Sequence, residues 1–83
     1  MPITIKCFAV IKDIVGQDEL SLELDSLATP TLQSAWDELE KKYPGLKGKQ
    51  KYVRFSKNHA FVSNNEPLAD GDEIGIIPPV AGG

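Results

Sequence analysis

The sequence predicts an α+β domain in which one mixed β-sheet carries a single main helix across one of its faces. Three observations predict it. Ile3, Ile5 and Cys7 alternate with polar neighbours at the start, and Leu32, Ala35, Trp36, Leu39 and Tyr43 recur at helical spacing in the middle. Near the end, Glu73-Ile74-Gly75-Ile76-Ile77 is the apolar run expected of a central, doubly covered strand. If the first and last strands are parallel neighbours, the helix lies in the right-handed crossover between them.

Each element has a local reason. With Thr4 and Lys6 turned outward, the first alternation places a strand near residues 3–8. The period then changes, with apolar residues at 10, 11, 14 and 15 and Gly16 as a left-handed stop, which reads as a short helix. Leu20, Leu22 and Leu24 alternate with Ser21, Glu23 and Asp25, giving a second strand that pairs with the first as a broad hairpin. Thr29-Pro30-Thr31 supplies a capping hydroxyl followed by a proline at the first helical position. The main helix then runs with Asp37, Glu38, Glu40, Lys41 and Lys42 outward and Trp36 as its anchor on the sheet, until Tyr43-Pro44-Gly45 stops it. Val53 and Phe55 alternate against Arg54 and Ser56, Asn58-His59 reads as a turn, and Ala60-Phe61-Val62 lies beyond it. Asp70-Gly71 turns the chain into the last strand, and Pro78-Pro79, which cannot donate to a ladder, ends it. That order of elements is a β-grasp, with the domain at residues 1–79 and a flexible tail at 80–83.

Composition narrows the function. A domain of 83 residues buries only ~60% of the surface its unfolded chain exposes, so the core is small. No apolar run approaches the ~20 residues of a spanning helix, and Met1-Pro2-Ile3-Thr4-Ile5-Lys6 lacks the succession of a secretory signal, so a cytoplasmic location and no membrane partner are expected. Cys7 has no second thiol for a disulfide or a zinc site and reads as a buried strand residue. A net charge of −3 argues against nucleic acid, and the cluster Lys47, Lys49, Lys51, Arg54 and Lys57 reads as a solvated loop because no stacking aromatics are interleaved. His59 is the only histidine and has no partner at ligand spacing, while Asp70, Asp72 and Glu73 lack a calcium-loop pattern and flank a turn. No metal site and no independent active site are expected from these residues.

The chain end is different. Two consecutive glycines close a chain by chance about once in 200 sequences, so Gly82-Gly83 alone also fits chance or a frayed end. What favours a function is its position directly after the stiff exit at Pro78-Pro79. A terminal carboxylate that must enter another protein's active site needs a thin thread, and glycine passes where any Cβ would clash.

These residues resemble the small subunit of molybdopterin synthase, a ubiquitin-like sulfur-carrier family. The most specific part is Leu68-Ala69-Asp70-Gly71-Asp72-Glu73 followed by Ile76-Ile77-Pro78-Pro79-Val80-Ala81-Gly82-Gly83, supported by Phe8-Ala9, Val15-Gly16, Tyr43-Pro44-Gly45 and Asn58. The resemblance implies that an E1-like enzyme adenylates the Gly83 carboxylate with Mg-ATP and that a sulfur donor protein converts it to a thiocarboxylate. It further implies that the large synthase subunit, in a heterotetramer, takes the tail and passes the sulfur to a cyclic pterin precursor. Nucleotide and pterin then belong to the partners, and this chain binds no cofactor of its own. Gly82 and Ala81 give passage, Val80, Pro78 and Pro79 set the reach, and Phe8 and Ile77 are candidates for a docking patch or for ordinary core. Lys12 matches a position often held by arginine, implying an ionic contact to the adenylating partner. Arg54 and Lys57 stand where the family is usually apolar, and Gly75 inside the last strand implies weakened packing or a close approach. Rival readings are a ubiquitin-like modifier joined to lysines through Gly83, a sulfur carrier for thiazole or cysteine synthesis, and a plain binding module.

Overall fold

The computed structural model describes residues 2–78. Alternation builds the first strand as expected: β1 spans Ile3–Cys7, with Ile3, Ile5 and Cys7 all at or below 2% exposure and the intervening residues half-buried. Phe8 is the N-cap of α1, Ala9–Val15, which Gly16 closes in a left-handed conformation at φ 83°. The second strand is shorter than expected. β2 spans Glu19–Leu22 and pairs antiparallel with β1, but Leu24 turns away in a 3-10 turn and packs against the core from there.

The main helix, α2, spans Leu32–Lys42 and buries Leu32, Ala35, Trp36 and Leu39. Its cap lies two residues later than the Thr29-Pro30 reading: Thr31 is the N-cap and Pro30 stands outside the helix. The reason is a reciprocal box in which Ser34 N donates to Thr31 Oγ1 at 3.2 Å and Thr31 N donates to Ser34 Oγ at 2.9 Å. The returning loop completes the end, because Leu32 N and Gln33 N donate to the carbonyls of Glu66 and Asn64. Trp36 meets Phe55 edge to face, with centroids 5.8 Å apart, and donates its indole N–H to Glu40.

After two 3-10 turns, β3, Arg54–Lys57, and β4, Ala60–Val62, form a hairpin whose turn residues Asn58 and His59 both have positive φ, at 50° and 75°. β5, Glu73–Ile77, lies in the middle of the sheet order β2-β1-β5-β3-β4, parallel to β1 and antiparallel to β3. The acidic cluster serves the turn before it: Ala69 N donates to Asp72 Oδ2 at 2.8 Å and Asn58 Nδ2 donates to Asp72 Oδ1 at 3.1 Å. One expectation for β5 fails. It is central but covered on one face only: Ile74 and Ile76 meet the helix side, while Glu73, Gly75 and Ile77 stand on the other. No helix among the described residues is long and apolar enough to cross a membrane.

Candidate functional site at the open sheet face

Strand alternation decides what the uncovered face displays. Lys6 of β1 lies beside Gly75 of β5, Gly75 beside Ser56 of β3, and Ser56 beside Phe61 of β4, so one row crosses four strands. Toward the end of β5 the next row is formed by Phe8, Ile77 and Arg54, with Ile77 directly opposite Arg54. Between these rows lies a groove of about 390 Å³ shared by Phe8, Ile77 and Phe61, with Lys6, His59 and Glu73 at its rim. Gly75 is the reason for the depression. A Cβ at that position would collide with Ser56 Oγ, so the close approach expected of this glycine is what the structure shows.

Of the two accounts of Phe8, the structure takes the exposed one. It is 47% exposed and outside the core cluster, whereas Ile77 is half-buried on the open face. Lys12 is exposed on α1 and shares a shallow pocket with Phe8, Cys7 and Asp18. Pro78 follows β5 and is half-buried. Phe8, Lys12, Ile77 and Pro78 thus gather at one end of the sheet, because parallel pairing puts the last residues of β1 and β5 side by side, Cys7 opposite Ile76. The tail readings for Pro79, Val80, Ala81, Gly82 and Gly83, and the boundary between domain and tail, lie outside the described residues.

Charge around the groove is mostly paired. Lys6 Nζ sits 2.9 Å from Glu19 Oε1, and that hydrogen bond raises the lysine above its ordinary value. Lys57 is bound to Glu66 at 2.6 Å, which raises it in the same way. His59 Nε2 lies 3.7 Å from Glu73 Oε2. Beneath the face, burial pushes the Cys7 thiol up, with Asp18 adding to it, so the thiol is held neutral. No group of three or more His, Cys, Asp or Glu among the described residues is placed to hold a metal ion. Sequence reasoning did not assign Phe61 or Ser56 to this surface. The available signal was the unbroken triplet Ala60-Phe61-Val62, where alternation forces one large side chain outward.

A mixed five-stranded sheet gripping one main helix, with the chain end following the central strand, defines a ubiquitin-like β-grasp protein. The chain belongs to the ThiS family, whose model matches residues 5–83. Among curated relatives, the molybdopterin synthase sulfur carrier subunit of Chlamydomonas reinhardtii is 34% identical over 86 residues and covers 100% of both chains. The small archaeal modifier protein 3 of Haloferax volcanii is 31% identical over 94 residues, again covering 100% of both. Among solved structures, SAMP1 from Haloferax volcanii superposes with a TM-score of 0.85 at 24% identity over 100% of each chain, a likeness of fold. A chain in the complex of subunits 1 and 2 of the molybdopterin-converting factor from Helicobacter pylori 26695 superposes with a TM-score of 0.68 at 25% identity, covering 100% of each chain. The resemblance read from the closing motif and the β-grasp expectation are therefore both borne out.

Proposed function

We propose that this chain is the sulfur-carrier small subunit of a molybdopterin synthase and that its working group is the Gly83 carboxylate. The observation that carries the reading is the family match, which runs through the terminal Gly82-Gly83 and is joined by a full-length relative named as such a subunit. A carboxylate is a poor acyl donor. Attack of one carboxylate oxygen on the α-phosphorus of ATP expels pyrophosphate and leaves an acyl-adenylate; a sulfide equivalent from the donor protein then adds to the carbonyl and AMP departs. The thiocarboxylate sulfur then attacks a carbon of the pterin precursor on the large subunit and displaces an oxygen leaving group from it; water cleaves the remaining acyl C–S bond, which restores the Gly83 carboxylate and leaves the sulfur on the pterin.

The partners supply acids, bases, Mg²⁺ and the pterin site, so this chain is a carrier and not an independent catalyst. Its own contribution is docking and reach. Phe8, Ile77 and the Gly75 groove give a partner an apolar patch beside the place where the tail begins, and Lys12 lies next to it for an ionic contact. The Helicobacter pylori pairing of subunits 1 and 2 supports a large-subunit partner, in a heterotetramer on this reading. An unpaired buried thiol and the need for ATP fit the cytoplasm.

Incubation with the E1-like enzyme, ATP and the sulfur donor should change the intact mass by replacement of one oxygen with sulfur. An unchanged mass with partners active on another carrier would overturn the proposal. The modifier relative favours one second reading, conjugation of Gly83 to lysines of other proteins. Covalent ladders recovered from cells would support that reading.

A further inference from the structure

Charge is strongly segregated along this chain. Residues 41–65 hold seven of the nine lysines and arginines, and all twelve aspartates and glutamates lie outside that stretch. Folding neutralises part of this cluster, since Lys41 pairs with Glu38 and Lys57 with Glu66. Among the described residues, Lys51 and Arg54 have no ion-pair partner, and both line a groove of about 550 Å³ at the β3–β4 end of the sheet.

The lining of that groove is part apolar and part amide, beside the two cations. Val53, Phe55 and Val62 line the groove as well, Phe55 and Val62 from the helix side of the sheet, and Gln50 and Asn64 add side-chain amides. Those amides are held by Gln33, which exchanges hydrogen bonds with Gln50 and accepts one from Asn64 Nδ2 at 2.7 Å. Arg54 Cζ stacks 3.8 Å over the Phe61 ring, which fixes the guanidinium plane and leaves its N–H edge for a bidentate carboxylate. Lys51 Nζ stands 5.2 Å from the Tyr52 ring, and Tyr52 and Phe61 are both more than half exposed. Arg54 also lies opposite Ile77, one residue before Pro78. Arg54 thus links the groove to the described end of β5.

We propose that the groove formed by residues 50–54 and 61–64 docks an acidic, extended segment of the protein that receives the C-terminal tail, and so sets the direction from which the tail enters. The identity of that partner rests on the sulfur-carrier reading; the chemistry of the groove does not. Nucleic acid fits less well. A phosphate strand longer than the groove would run onto a body that holds every acidic residue of a chain with net charge −3.

The test is an NMR titration of the isotope-labelled full chain with a blocked synthetic peptide of alternating glutamate and leucine. Shifts confined to the amides of residues 50–54 and 61–64 are expected. Lys51→Glu with Arg54→Glu should weaken that binding about tenfold. Raising the salt from 0.01 to 0.15 M, which shortens the Debye length from about 30 to about 8 Å, should weaken it too. Shifts spread over the chain, or unchanged in the double variant, would overturn the proposal. So would tighter binding of a thymidine oligonucleotide at the same amides, or the same shifts produced without peptide by deleting Gly82 and Gly83, which would make the chain's own tail the occupant. None of these outcomes depends on sulfur transfer, so a failed mass change and a failed titration are separate results.

Discussion

At the scale of single residues, Gly75 and Cys7 show how one position serves the sheet's two faces. Gly75 leaves a depression on the open face that a larger residue would fill at the expense of Ser56. Gly75→Val is expected to lose about 1–3 kcal/mol by overpacking. Adding Ser56→Ala should recover about 1 kcal/mol, because the colliding hydroxyl is then gone. Urea unfolding of the four members of the cycle measures this, and zero coupling would mean that Ser56 moves aside freely. Cys7 lies on the covered face, where burial holds its thiol above its ordinary value of 9.0. In the unfolded chain the thiol ionises first, so the unfolded state binds fewer protons there at alkaline pH. The stability difference between the wild type and Cys7→Ala is thus full below about pH 9 and shrinks as pH rises above it. Melting curves at pH 7 and pH 10 for both chains check the sign.

The elements are closed by chemistry that local sequence sometimes places and sometimes does not. The helix stop at Tyr43-Pro44 and the left-handed Gly16 fall where residue type alone puts them. The start of α2 does not, because Thr29, Thr31 and a proline between them offer two caps of similar quality. Selection of Thr31 follows from Ser34 three residues on and from Glu66 and Asn64 arriving from a distant loop to take the first helical N–H groups. Thr31→Ala should therefore cost about 1 kcal/mol and Thr31→Asn much less, whereas Thr29→Ala should lose little of the capping energy. Denaturant midpoints of the three variants decide between the caps. Phe8 belongs to this scale as well: alternation past the buried Cys7 turns its ring to the open face, and as the N-cap of α1 it stays exposed there.

For the molecule as a whole, β1 and β5 are the pair that closes the fold, since residues some seventy positions apart meet in register, Ile5 opposite Ile74. All five strands and the whole described core lie within residues 3–77. Deleting Gly82 and Gly83 should accordingly leave the melting temperature within about 2 °C while abolishing the mass change in the sulfur-transfer assay. Loss of both would place the terminal glycines in the fold; loss of neither would leave a binding module. The relatives of this chain include a sulfur carrier subunit and a modifier protein, so one fold accompanies more than one function.

By itself the sequence determined the types and order of the elements, the buried set around Trp36, and the candidacy of the terminal Gly-Gly. Periodicity, caps and turn residues act over a few positions, and the tail chemistry proposed for it requires no pocket in this chain. Only the tertiary structure decided that β5 is covered on one face, that Phe61 and Arg54 share the open side, and that Arg54 faces Ile77 at the end of β5. Those facts depend on which strands pair and in which register, and pairing is settled by packing across the entire chain, which no local window of residues contains.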